Sequence, residues 1–326
     1  MGMTPRRAHG GPDARGPVAH DFSTNSNACG PCPVALAAVA AADATRYPDP
    51  SYARLREALA RQHAVDVERV VLAGSASEFI FRISAWAARH GIAAVNLPRY
   101  GYGDYAAAAT AVGLQPADDK RGALVWACEP SSPLGAADET LLQAVGAGAD
   151  TVVVLDRAYE PLRLAGTPPS PDAVEAAWQL WSPNKALGLT GVRGAYAIAP
   201  VDGAQHVPAL DAMAPSWVVG VHGVAMLEAW CEPSTQAWLA ACKPQLRAWK
   251  STQAALCKRF GWTVLPSTAN YFTCRAPGTV ERLEALRESG VALRDCASFG
   301  LPGHVRLGVL PPAAQHALEL AWESCT

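Results

Sequence analysis

Apolar residues recur along this chain in short runs separated by longer stretches with helical spacing. Val67–Ala73, Ala93–Asn96, Ala123–Cys128, Thr151–Asp156, Ala177–Trp181 and Gly194–Ala199 are short and almost continuously apolar, which predicts strands buried on both faces. Between them the pattern predicts helices, one over Phe79–His90 behind the turn Gly74-Ser75-Ala76-Ser77-Glu78 and one after Tyr105. Strands alternating with helices predict an α/β fold with a mostly parallel sheet covered on both sides.

The flanks read differently. Residues 9–33 are rich in Gly, Pro, Asn and Ser and predict an extended arm with turns, followed by helices over Val34–Ala44 and Tyr52–His63. Beyond Pro200 a long helical region, Ser216 to Phe260, precedes strands at Trp262–Leu265, Tyr271–Arg275, Val291–Arg294 and His304–Leu310. Helices over Val280–Ser289 and Pro312–Cys325 complete a smaller α+β unit. The expected division is an arm and small-domain segment over 1–45, a large domain over 46–210, and an interdomain helix with a small C-terminal domain over 211–326.

Composition narrows the partners. Half of the 326 residues are apolar and 17% are charged, enough for a large core. A net charge of −2 with no Lys/Arg block argues against nucleic acid or a lipid surface, and the apolar runs are too short to span a bilayer. A cytoplasmic protein with small-molecule partners is expected. The nine cysteines are odd in number and scattered, which fits reduced thiols. Cys29-Gly30-Pro31-Cys32 spells a redox motif, but the polar, turn-rich stretch before it is not the strand that such a motif needs, and no second Cys pair or His pair stands at metal-ligand spacing.

In parallel sheets ligands bind beyond the carboxyl ends of the strands, which selects Gly74–Glu78, Pro98–Tyr105, Glu129–Gly135, Asp156–Tyr159 and Ser182–Arg193. The Gly74–Glu78 turn can bind a phosphate at a helix start, with Ser77 adding a hydroxyl, or serve as an ordinary helix cap. Asp156 at a strand end can pair with a protonated ring nitrogen, and Tyr159 can bond a neighbouring phenolic oxygen. Lys185 lies in a polar loop followed by glycines, with Arg193 eight residues on, a combination suited to a lysine-bound cofactor beside an anion.

These segments, with Tyr102-Gly103-Asp104-Tyr105 and Gly191-Val192-Arg193-Gly194, resemble the fold-type-I pyridoxal-phosphate enzymes of the aminotransferase class I/II superfamily over nearly the whole chain. The resemblance implies a large domain with a mostly parallel seven-stranded sheet plus a smaller α+β C-terminal domain, and pyridoxal 5'-phosphate as cofactor. It implies Lys185 as the Schiff-base lysine, Asp156 as partner of the pyridine nitrogen and Tyr159 as partner of the phenolic oxygen. Ser182, Arg193 and the Ala76–Ser77 turn would hold the phosphate, Tyr102 or Tyr100 would stack on the ring, and Tyr47 would reach the cofactor phosphate of the other subunit in a homodimer with shared sites.

Within the superfamily, Ala8-His9-Gly10-Gly11, Asp21–Asn27, Arg46-Tyr47-Pro48-Asp49, Ala269-Asn270-Tyr271, Leu293–Ala297 and Val305-Arg306 are similar to the threonine-phosphate decarboxylases of cobalamin synthesis, whose nearest relatives are the histidinol-phosphate aminotransferases. That likeness implies His9, Asn25 and Arg294 around a substrate phosphate and Arg306 on its carboxylate. Two departures stand out. Glu129-Pro130-Ser131-Ser132-Pro133 puts Ser132 where an asparagine normally bonds the phenolic oxygen, and Asn184 replaces the usual Ser/Thr before the lysine. The expected reaction is decarboxylation of L-threonine O-3-phosphate, with an aminotransferase of the histidinol-phosphate type as the alternative and a non-catalytic protein of this fold as a third reading.

Overall fold

A computed structural model of the protein describes residues 10–144, 146, 148, 150–276 and 278–325. Its strands in chain order are β1 (His20–Asp21), β2 (Val70–Ala73), β3 (Ala94–Asn96), β4 (Gln115–Pro116), β5 (Ala123–Cys128), β6 (Val152–Asp156) and β7 (Trp178–Trp181). Then follow β8 (Ala195–Ile198), β9 (Thr263–Val264), β10 (Tyr271–Arg275), β11 (Val291–Ala292), β12 (Arg294–Asp295) and β13 (His304–Gly308). The seven-stranded sheet runs β2-β8-β7-β6-β5-β3-β4, parallel throughout except for β8, which is antiparallel to both neighbours.

The continuous apolar runs have their cause in this sheet. Alternate residues feed two different cores: Leu124, Trp126 and Val154 pack under the helices Ala76–Arg89 and Gly103–Ala111, while Val125, Ala127, Val153 and Leu155 face the opposite side. Every residue of β5 is buried, so neither face tolerates a charge. β12-β13-β10-β9 form a separate antiparallel sheet of four strands.

Several expected boundaries shift. The helical region expected over 216–260 is two helices, Val221–Trp230 and Pro233–Arg259, because Pro233 has no N–H to donate into a preceding turn and instead starts the second helix. The strand expected over 291–294 divides between two sheets: β11 pairs with β1 of the arm, and β12 pairs with β13. The arm is therefore tied to the C-terminal part of the chain.

No helix among the described residues is long and apolar enough to cross a membrane. All nine cysteines are free thiols. Cys29 and Cys32 face separate partners on the helix Pro233–Arg259: Cys29 Sγ lies 3.8 Å from the carbonyl oxygen of Cys242, and Cys32 Sγ lies 3.8 Å from Thr235 Oγ1.

Candidate active site

A cavity of about 300 Å³ opens beyond the carboxyl ends of β5, β6 and β7 and reaches across to β12 and β13. Asp156, Tyr159, Ser182, Lys185 and Arg193 all line it, as does the helix start at Ala76 and Ser77. Consecutive parallel strands end at the same level, so residues far apart in sequence arrive at one rim.

Asp156 is the last residue of β6 and is buried. Its Oδ1 accepts the Ala158 N–H at 2.9 Å and its Oδ2 accepts the Tyr105 hydroxyl at 2.6 Å. Burial raises its pKa, opposed by the Tyr105 and Ala158 bonds and by the charge of Lys185. Tyr159 is held edge-on to Tyr271, with ring centres 4.7 Å apart, and its oxygen accepts from Asn25 Nδ2 at 3.3 Å. Because that bond uses a lone pair of the tyrosine, the Tyr159 proton stays available for an anionic oxygen.

Lys185 Nζ stands 5.4 Å from the centre of the Tyr159 ring. Its loop is fastened by the arm: Asn27 N donates to the Lys185 carbonyl at 2.9 Å, Asn27 Nδ2 to Ala186 O at 3.0 Å, and Cys32 N to Leu187 O at 2.8 Å. The two backbones approach so closely that a Cβ on Gly188 would meet Gly30 O at 2.7 Å, and Gly188 also has φ +70°. Glycine is required there by both contacts and conformation.

At the Ala76 turn, Ser75 caps the helix by accepting from Glu78 N at 3.1 Å, while Glu78 Oε2 reaches back to Gly74 N at 3.2 Å. The first N–H groups of a helix have no partner within it, so Ala76 and Ser77 can present theirs to an anion in the cavity. Both readings of this turn, cap and anion site, are compatible in one geometry. Ser77 Oγ also meets Tyr102 Oη at 3.1 Å. Tyr102 lines the cavity, and burial pushes its hydroxyl up to about 12. Tyr100 does not belong here: it is turned toward Gly300, with the Arg99 guanidinium 5.2 Å from its ring.

The far wall carries two arginines. Arg294 and Arg306 are directly opposite each other across the β12–β13 ladder, and both are buried. Like charges at such a pair repel, and burial followed by the Arg306 charge lowers the Arg294 pKa. Arg294 Nη2 donates to Ser298 Oγ at 2.7 Å; Arg306 donates through Nη1 to Ser132 Oγ at 3.1 Å and through Nη2 to Ser23 O at 2.9 Å. Two buried guanidiniums at one ladder position make this wall cationic, a surface suited to an anionic group.

Ser132 is thus bonded to Arg306. Tyr47 is on the outer surface, 76% exposed and stacked on Trp217 with ring centres 4.3 Å apart. His9 lies outside the described residues. Sequence reasoning gave no role to Tyr105 or Asn27, since neither a hydrogen bond from a helix to a neighbouring strand end nor a backbone anchor leaves a periodic signal.

Pyridoxal phosphate fits this set. An amine, a buried carboxylate, a phenol with a free proton and a helix start converge, and four residues lining the cavity each carry a buried polar atom with no partner among the described residues: Asn25 Oδ1, Ser182 Oγ, Asn184 Oδ1 and Arg306 Nε. Buried polar atoms left unpaired are costly, which points to a polar guest.

Comparison with known proteins agrees. The chain is 27% identical over 325 residues to histidinol-phosphate aminotransferase 1 of Bordetella parapertussis, covering 91% of this chain and 89% of that protein. Its fold matches the crystal structure of histidinol-phosphate aminotransferase from Sinorhizobium meliloti in complex with pyridoxal-5'-phosphate, with a TM-score of 0.79 and 20% identity, over 96% of this chain and 93% of that one. It also matches L-threonine-O-3-phosphate decarboxylase from Porphyromonas gingivalis, with a TM-score of 0.76 and 20% identity, over 93% and 98%. Residues 104–319, from the helix bearing Tyr105 to the last helix, match the family described as aminotransferase class I and II, and the chain belongs to that family.

Proposed function

We propose that the protein is a pyridoxal-phosphate-dependent aminotransferase whose amino donor carries a phosphate, of the histidinol-phosphate type. The observation that carries this reading is the buried, mutually repelling pair Arg294 and Arg306 opening onto the same cavity as Lys185. Arginine's planar fork suits phosphate, and a phosphate between the two would offset the charges of both. Sequence relatives named histidinol-phosphate aminotransferase support it, at 25–28% identity over most of this chain. Decarboxylation of threonine phosphate, the first expectation, has a fold neighbour on its side at 20% identity. The arm lends it one further observation: Gly10 lines the cavity and fits only as glycine, since a Cβ would meet Ser23 O at 2.2 Å.

When bound, the cofactor supplies an aldehyde for amine exchange and a ring that accepts electrons from the substrate Cα. The chain's own groups do the rest. Asp156 would accept the ring N–H and keep it protonated, Tyr159 would donate to the phenolic oxygen, and Tyr102 would pack against the ring. Ser182 Oγ, the Ala76 and Ser77 N–H groups and Arg193 bind the cofactor phosphate. Lys185 Nζ would hold the cofactor and would be the base that moves the proton at the substrate Cα. Arg294 and Arg306 orient the substrate, which decides which bond at Cα is cleaved.

Tyr47, exposed on one protomer, would reach the cofactor phosphate of the other in a homodimer, and mass in solution tests that arrangement. For the reaction, the loaded protein is given histidinol phosphate with 2-oxoglutarate, and in parallel threonine phosphate alone. Glutamate formation in the first supports the proposal. Carbon dioxide release in the second with no glutamate in the first overturns it in favour of the decarboxylase.

A further inference from the structure

We infer that Tyr105 is a positioning residue for catalysis: its hydroxyl holds the Asp156 carboxylate charged and correctly aimed for the cofactor's ring nitrogen. This rests on the reading of Asp156 given above. Tyr105 is 1% exposed, and its ring lies flat on Trp126, with centres 4.5 Å apart and planes 12° apart. That stack fixes where the hydroxyl points. The hydroxyl sits 2.6 Å from Asp156 Oδ2, a short O–H···O⁻ contact of the charge-assisted kind.

The second oxygen of Asp156 accepts from Ala158 N, so the carboxylate receives two donors from fixed parts of the fold. A donor favours the ionised carboxyl over the acid, whereas burial favours the acid. Around Asp156 stand Tyr102, Tyr105, Cys128, Tyr271 and Lys185. Burial raises the pKa of all four hydroxyl and thiol groups, leaving them neutral at physiological pH, while the charge of Lys185, like the Tyr105 bond, acts against the effect of burial on Asp156. Lys185 is the residue that would hold the cofactor and move a proton, so it would not be a fixed support for Asp156. Tyr105 is the constant support.

The test is Tyr105→Phe, which deletes one oxygen and keeps the stack on Trp126. Cofactor affinity, measured by titrating pyridoxal phosphate into the cofactor-stripped protein, should weaken about 10- to 100-fold, the loss of one hydrogen bond to a charged group. kcat should fall by a similar factor with KM for the amino donor unchanged. In the Asp156→Asn background the same substitution should leave cofactor affinity unchanged, because the two residues act as one unit. Wild-type affinity in Tyr105→Phe, or an equal loss in both backgrounds, overturns the inference. Should Tyr105→Phe not fold, carboxyl-carbon NMR of the unmutated, cofactor-free chain decides: Asp156 ionised at neutral pH supports the role, and a protonated Asp156 contradicts it. If the unmutated protein binds no pyridoxal phosphate at all, it is the reading of the function that fails.

Discussion

The two ends of the cavity differ in how their polar groups are satisfied. At the end formed by β6 and the segment after it, both oxygens of Asp156 and the oxygen of Tyr159 already have donors. At the β12–β13 wall, Arg306 Nε is buried with no partner among the described residues, and Arg294 faces Arg306 across a ladder. A preorganised end fixes a ring in place without reorganising; an end with unmet donors gains most when an anion arrives. On the proposed reading, the ring end would govern the chemistry and the arginine end would govern which substrate is accepted.

Substitutions separate the two roles. The largest effect is expected from Lys185→Ala, which removes both the cofactor's attachment and the base: kcat falls by ~10³-fold or more and the near-visible absorbance of the loaded protein is lost. Asp156→Asn comes next, with kcat reduced by about 10²-fold, and it carries an opposite effect on stability. Burial holds the Asp156 pKa above its unfolded value of about 3.9, so its contribution to stability is full below that pH and is lost as pH rises through the folded pKa. Thermal unfolding of the cofactor-free Asn variant should therefore match wild type at about pH 3 and exceed it at about pH 7.

At the other end, Arg306→Leu should raise KM for the phosphorylated donor about 100-fold while cofactor affinity stays within about twofold. A comparable loss of cofactor affinity would show that the two ends are not separable. Smallest is Ser132→Ala, which removes one bond to the Arg306 guanidinium: KM rises by ~10-fold, measured in the same steady-state assay.

The same contrast explains what could be read from the sequence. Asp156 and Tyr159 lie at and just beyond the end of one short apolar strand and Lys185 beyond the end of the next, and the strand-end rule alone selects their segments. The residue types suggest chemistry for each, but the choice among alternatives, and the seven-strand count, rest on family resemblance. β4 has two residues, both exposed, so it leaves no apolar run to read. Arg294 and Arg306 are implied as substrate-binding residues only by the family likeness; their placement opposite each other comes from the β12–β13 register, which no sequence pattern carries. Tyr100 and Tyr102 were indistinguishable by composition; only the path of the chain into the helix Gly103–Ala111 turns Tyr102 inward. The β1–β11 pairing, which brings the arm to the C-terminal part of the chain, involves two residues on each strand and leaves no periodicity at all.

The central claim is that Lys185 carries pyridoxal phosphate in this cavity. Loading the protein with pyridoxal phosphate, reducing it with borohydride and mapping the modified peptide by mass spectrometry tests this directly. The account predicts one phosphopyridoxyl group, on the peptide containing Lys185, in near-stoichiometric amount. A label on other lysines such as Lys250 or Lys243, or no label, would contradict it.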